Sequence, residues 1–327
     1  MRALIPHTYS NPDELNGKSL FCYRLGQEFL RRGIHVVTGY DEKCDIALHI
    51  IRLGASKAKK NVLRINGVYH NSAQDYNKKN ANIKRSLEAC DAVVYQSFHS
   101  RKLCDSFIGE AKVPSKIIYN GADPEYWKFV EPIDSMKDKN TVLAFAKWRP
   151  HKRLRDTVES FLLADIENSQ LVIVGDTYNS GLTPDELVQF NHYSNIHFVG
   201  TEKQSVLARY IVSSKLVMHL CWYDACPNGV VESLCAGIPV ITNNTGGTHE
   251  LLQECGLQPL VCHIDEPYNY KPIDLYNPPM VDYGLVADKI RQVLQQPNRF
   301  EFDPYRLSIS VIADRYINFF EEILRES

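Results

Sequence analysis

No apolar run in the 327 residues reaches the roughly 18 that a membrane-spanning helix needs. The N-terminus, Met1-Arg-Ala-Leu-Ile-Pro-His7, lacks the apolar core of a secretory leader, so a soluble cytoplasmic protein is expected. The nine cysteines are odd in number, none forms a C-x-x-C pair, and Cys22, Cys221 and Cys235 sit inside apolar runs. Such spacing argues against disulfide staples and zinc ligands and points to reduced core thiols, with no metal site. G-x-G-x-x-G is absent, which weighs against a dinucleotide-dependent oxidoreductase. Gly17-Lys18-Ser19 imitates the end of a P-loop, but the glycine that motif requires five residues earlier is Pro12.

What is there is an ordinary globular composition, 44% hydrophobic and 23% charged, at a length that suits two domains. The net charge of −2 is unevenly spread: residues 1–133 carry 20 Lys and Arg against 14 Asp and Glu, and residues 134–327 carry 17 against 25. A basic first half suits a phosphorylated or membrane-bound partner, and equally a plain solvated surface. Strand-like runs at 2–6, 36–38, 46–50, 62–65, 92–96 and 116–119 are interleaved with amphipathic helices over 18–32, 81–89 and 97–109. After a polar linker at 131–140 the pattern resumes. Strands are expected at 142–145, 171–174, 196–199, 216–221 and 239–242, with helices at 154–164, 184–191 and 206–213, from 228, from 248, and at 285–295. A Pro- and Tyr-rich loop fills 267–283, and a long amphipathic helix runs from about 305 to 325. This alternation predicts an α/β architecture of two Rossmann-like, doubly wound parallel sheets facing a cleft, with the ligand at the carboxyl ends of the strands.

The stretch Leu220–Thr242 carries the most chemistry. Asp224 and Pro227 lie in a loop after a buried strand, Asn228 is placed to cap a short helix that Gly237 ends, and Glu232 sits one turn inside it. Two carboxylates are good partners for hydroxyl pairs, and the free N–H groups between them suit a phosphate, although the same spacing also arises by chance. Lys147-Trp-Arg149-Pro-His-Lys152-Arg153 gathers cations at a helix start, against the helix dipole, so that a bound diphosphate would offset the repulsion. An exposed basic loop is the plainer alternative. Asn244-Thr-Gly246-Gly247-Thr248-His-Glu250 either brings backbone amides close to a ligand or simply turns the chain from strand to helix. Arg64-Ile-Asn66-Gly67-Val-Tyr69-His70 ends a strand on the cleft side, where His70 either bonds a sugar hydroxyl or phosphate or is an ordinary loop residue.

Taken in order, these segments resemble glycosyltransferase family 4, of GT-B fold. Lys147…Lys152 matches the family's two cations five residues apart, and Asp224…Glu232 with Pro227-Asn228 matches its E-x7-E. Ala236-Gly-Ile-Pro-Val240 and Gly246-Gly247…Glu250 follow in the family's order, and Tyr119-Asn-Gly-Ala-Asp123 is similar to its segment before the linker. The resemblance spans about 92–325 and is weak over 1–90. It implies an acceptor-side domain at 1–133, a nucleotide-sugar domain at 134–304, and a helix at 305–327 crossing back to the first domain. It also implies that Lys147 or Arg149, with Lys152, holds the donor diphosphate, that Asp224 bonds sugar hydroxyls, and that Glu232 grips the ribose diol. Backbone groups of Asn228, Gly229 and Val230 would reach the sugar and phosphates, those of Val199–Thr201 the base, and Gly246 and Gly247 the donor. His70 would approach the donor sugar from the first domain, and Gly17 would mark the donor–acceptor boundary. Asp224 departs from the family's Glu by one methylene, and the first glycine loop has one glycine instead of two.

The implied activity is sugar transfer from a UDP- or GDP-sugar to a hydroxyl of a glycan, glycolipid or protein-glycan acceptor, with retention. No D-x-D is present to hold a metal, so a metal-free route is expected, with no prosthetic group and no nucleic-acid partner. The basic first domain fits peripheral membrane contact. Two other readings share the cleft: a GT-B sugar-nucleotide epimerase and a non-catalytic nucleotide-sugar binder.

Overall fold

The computed structural model of the chain describes residues 1–15, 17–263 and 269–326, with backbone alone at 297 and 298; the first residues of the expected loop at 267–283 lie outside the described residues. The first domain runs β1 (Arg2–Leu4), α1 (Gly17–Arg31), β2 (His35–Val37), β3 (Lys43–Ile50), β4 (Lys57–Ile65), α2 (Tyr76–Ala89), β5 (Ala92–Tyr95), α3 (Phe98–Phe107) and β6 (Ser115–Ile117). A short α4 (Pro124–Trp127) leads to the linker. The second domain runs β7 (Asn140–Phe145), α5 (Leu154–Ala164), β8 (Ser169–Val174), α6 (Pro184–Asn191), β9 (Ile196–Gly200), α7 (Gln204–Val212) and β10 (Leu216–His219). It continues with α8 (Asn228–Cys235), β11 (Val240–Asn243), α9 (Thr248–Glu254), β12 (Val261–Cys262) and α10 (Tyr283–Gln295), and α11 (Ile309–Arg325) closes the described chain.

Each domain holds one six-stranded parallel sheet, ordered β2-β1-β3-β4-β5-β6 and β12-β11-β10-β7-β8-β9. Central strands are apolar on both faces because helices cover both: β5 and β8 are buried throughout. The expected two-sheet α/β architecture is therefore present. Several boundaries differ from expectation, and three differences have plain physical reasons. β4 begins at Lys57, because Lys57-Ala-Lys-Lys-Asn61 pairs in register with β3 from Lys43 although its residues are polar. α2 begins at Tyr76, where the Asp75 side chain caps it by accepting from the Lys78 amide. β12 is two residues long, below what a pattern reveals. An unexpected feature is the connection from β3 to β4: residues 51–56 return along the sheet as an extended strap where a crossover helix would usually lie.

The domains are tied together at several points. α11 lies against α1, with Phe21 and Tyr316 rings 6.0 Å apart and Phe29 and Phe320 rings 6.1 Å apart. The Ile273 amide donates to His70 O at 3.1 Å, and the Ser72 amide to Ile273 O at 2.7 Å. Glu250, at the start of α9, reaches across to cap α3: its carboxylate accepts from the Phe98 and His99 amides at 2.8 Å each and from Tyr119 Oη at 3.2 Å. All nine cysteines are buried and unbridged. Among the described residues no helix is long and apolar enough to cross a membrane.

Glu250→Ala leaves two N–H groups at the buried end of α3 without an acceptor. It is expected to lower unfolding free energy by roughly 2–4 kcal/mol in urea denaturation.

Candidate active site

A cleft of about 730 Å³ opens between the domains at the carboxyl ends of β7, β8 and β10. From the first domain Gly17, Lys18, Asn66, Gln96 and Asn120 line it. From the second come Lys147, Lys152, Asp176, Thr201, Glu202, His219, Asp224, Asn228, Gly229 and Glu232. The basic loop after β7 is held by Trp148, buried with its indole N–H donating to Val174 O at 3.1 Å. A 3-10 turn at Pro150–Lys152 follows, and Arg153, at φ 59°, breaks it before α5, which begins without a side-chain cap. This turn aims Lys152 into the cleft, where Nζ donates to Asp224 Oδ2 at 2.6 Å. Arg153 goes the other way, donating to Pro279 O at 2.8 Å.

Asp224 lies 3.8 Å from His219 Nε2 as well. Burial alone would raise its carboxyl, but the Lys152 ammonium and then His219 hold it below the usual carboxylate range. Burial would likewise lower the Lys152 ammonium, and the Asp224 carboxylate overcomes this and raises it. Burial pushes His219 down to about 3, with Lys152 adding to the effect, and pushes His151 down to about 4. Positive charge in the cleft therefore comes from lysines, while the imidazoles are neutral at ordinary pH. His219, Cys221 and Asp224 have metal-ligating atoms close enough together to share an ion. An ion there would compete with the Lys152 ammonium, which already donates to Asp224 Oδ2.

The second acid, Glu232, is buried one turn into α8, and Arg24 of α1 donates to its Oε1 at 2.7 Å. Asn228 does not cap this helix; Pro227 holds the cap position. The Asn228 side chain is drawn off to bridge the domains, donating to Gly17 O at 2.6 Å and accepting from Asn120 Nδ2 at 2.6 Å. Gly229 permits the close approach of α8 to β7, since a Cβ there would fall 2.5 Å from the Phe145 ring. The Val230 side chain is core.

Besides Val230, five expected site residues are placed off the cleft lining. Gly246 and Gly247 lie behind the acid loop, off the cleft lining. A Cβ on Gly247 would come 2.1 Å from Ala225 O, and its amide donates to Asp224 O at 2.8 Å, so the pair shapes the loop that carries Asp224. Arg149 turns toward Tyr276 Oη at 3.4 Å and leaves the lining to Lys147 and Lys152. His70 is buried, its ring 4.2 Å from that of Tyr223 and its Nδ1 donating to Val68 O at 3.1 Å; it packs beneath the acid loop and does not line the cleft. Val199 is half-buried in β9, and it is Thr201 that reaches the cleft. Sequence reasoning missed Lys18, Asn120 and Arg24. Asn120 had a signal, its Asn-Gly-Ala-Asp turn; Arg24 had none, being 208 residues from its partner.

Residues 125–257 match the family model described as glycosyl transferases group 1. That match falls on the linker and the second domain, and the two facing parallel sheets have the GT-B fold. Its overall structure is similar to sucrose-phosphate synthase from Thermosynechococcus elongatus, with TM-score 0.69 and 14% identity over 100% of this chain and 99% of that one. It is similar also to Anabaena HepE, solved with UDP and glucose, at TM-score 0.66 and 13% identity over 98% and 100%. A third similar structure is WaaG, a glycosyltransferase involved in lipopolysaccharide biosynthesis, at TM-score 0.57 and 14% identity over 100% and 98%. No curated protein matches the chain in sequence.

The buried imidazoles give this fold a defined acid sensitivity. His99, pushed down to about 3 by burial, joins His151 and His219 in staying neutral when folded, whereas the unfolded chain takes up protons near the ordinary value of 6.5. Folded pKa values below the unfolded ones mean that this stability is complete above 6.5 and lost as pH falls toward them. The melting temperature is expected to be flat above about pH 7 and to fall steadily between about pH 6.5 and 4.

Proposed function

We propose that the protein moves a sugar from a nucleoside-diphosphate sugar, a UDP- or GDP-sugar, to an acceptor hydroxyl, with retention and with lysines in place of a metal on the departing diphosphate. One observation carries the reading: the Lys152 ammonium, fixed 2.6 Å from Asp224, sits in a cleft onto which the N-terminus of α8 opens. An ammonium has three donors, so the contact with Asp224 leaves others for phosphate oxygens. Lys147 lines the same cleft, and the free amides at the start of α8 favour an anion.

In the proposed step the bond from the sugar's anomeric carbon to the diphosphate oxygen breaks, and its electron pair stays on that oxygen. Lys152, Lys147 and the α8 amides stabilise the growing charge. The acceptor oxygen bonds to the anomeric carbon on the face the diphosphate leaves, and its proton passes to the departing phosphate oxygen. Asp224, kept ionised by Lys152, would accept from donor-sugar hydroxyls. Glu232 would take the ribose diol on the oxygen Arg24 leaves, and Thr201 would lie near the base. HepE, solved with UDP and glucose, supports a nucleotide-sugar donor in a cleft of this fold.

Lys152→Ala and Glu232→Ala are each expected to cut turnover about a hundredfold, as loss of a charge-stabilising group does. A thermal-shift screen against UDP-, GDP-, ADP- and dTDP-sugars should find a stabilising donor, because ligand bound to the folded state raises the melting temperature. Near-normal turnover in both variants would remove the assignment. Donor binding without transfer to any acceptor would favour the epimerase or binder reading.

A further inference from the structure

A second cavity, of about 610 Å³, lies wholly within the first domain, at the carboxyl ends of β1 and β3. It sits where the strap of residues 51–56 replaces a crossover helix. His7, Lys18, Arg52 and Arg85 line it, and no carboxylate does. The neighbouring cleft is different in kind, mixing Asp176, Glu202, Asp224 and Glu232 with its lysines. Among the described residues no carboxylate pairs with Lys18, Arg52 or Arg85; all three are exposed and Arg85 donates to the neutral Asn82, so their charge is left to solvent or to an entering anion.

The backbone is bent to present these groups. Ile51 adopts φ 68°, a strained conformation for a β-branched residue, and the Arg52 amide closes a tight turn onto Ile50 O at 2.8 Å. The strap is pinned on either side, with the Ile51 amide on Arg64 O at 2.8 Å and the Leu53 amide on Ser86 Oγ at 3.0 Å. Across the cavity His7 stands at φ 63°, and the next residue, Thr8, packs against Gly26 of α1 so closely that a Cβ there would fall 2.0 Å away. The strained backbone of Ile51 thus lies on the rim of a cationic cavity. Lys18 lines both this cavity and the donor cleft, so a molecule seated here abuts one seated there.

We infer that this cavity binds the acceptor, and that the acceptor is a saccharide carrying a phosphate ester. Two arginines and a lysine, three positive charges, are enough to neutralise a phosphate dianion, and guanidinium groups can hold its oxygens two at a time. The volume suits one or two sugar units, and Tyr40 offers a ring face beside the cations. The inference rests on the transferase reading, which supplies the donor next door.

The test uses the full chain and whichever donor the thermal-shift screen identifies. Transfer is measured to matched acceptors: a neutral sugar, the same sugar as phosphate monoester, the corresponding uronate, and a lipid-linked sugar phosphate in neutral phosphatidylcholine vesicles. We expect kcat/KM at least about tenfold higher for a phosphorylated acceptor than for the neutral one, in solution or on vesicles, the better of these two naming the source of the phosphate. Arg52→Ala and Arg85→Ala should raise acceptor KM about tenfold while the donor-induced thermal shift, which reports the fold and the donor site, is retained. Equal use of neutral acceptors, preference for the uronate, or wild-type KM in both variants overturns the inference. Absence of any donor-induced shift would instead be a failure of the transferase reading itself.

Discussion

Lys152 and Asp224 face each other across 2.6 Å inside the cleft, and each is where it is because of the other. A lysine taken out of water alone would shed its proton, and an aspartate alone would take one up. Paired, both keep their charges, and burial lowers the dielectric around them so that the charges act strongly on whatever enters. The geometry rests on neutral supports. Trp148 anchors the basic turn, the Gly247 amide fixes the acid loop, and His219 stands beside the pair with its imidazole kept uncharged by burial.

That pair belongs entirely to the second domain, yet the cleft is complete only when the first domain is docked. Arg24 brings a guanidinium to Glu232, Asn228 joins Gly17 to Asn120, and Glu250 caps α3 from the far side. α11 runs back onto α1, so the last helix of the chain stiffens the first. Beneath it Arg64, fully buried, lies over the Phe21 ring and donates to Tyr316 Oη at 3.1 Å. Relative placement of the two domains is thus a consequence of charged and polar contacts between them as well as of apolar packing.

Much of this was legible in the residues. Two parallel sheets followed from apolar runs alternating with amphipathic helices, the positions of Asp224 and Glu232 from their order around α8, and that of Lys152 from the basic loop before α5. The polar half of β4 was not legible, because Lys57-Ala-Lys-Lys-Asn61 gains strand structure from pairing with β3 and from no pattern of its own. Nor were the contacts of Gly246, Gly247 and His70, whose motif neighbours point at a ligand while the residues themselves pack against the acid loop. Arg149 and Lys147 could not be told apart by spacing; the turn at Pro150–Lys152 sends one outward to Tyr276 and keeps the other in the lining. The cavity in the first domain was invisible because it depends on a strap where a helix was the ordinary solution.

The most direct measurement is a crystal structure of the full chain with UDP or GDP. The account predicts diphosphate oxygens within hydrogen-bonding distance of Lys152 Nζ, the Lys152–Asp224 contact kept, and Glu232 on the ribose. A nucleotide seated in the first-domain cavity, or a cleft still empty at saturating nucleotide, would contradict it.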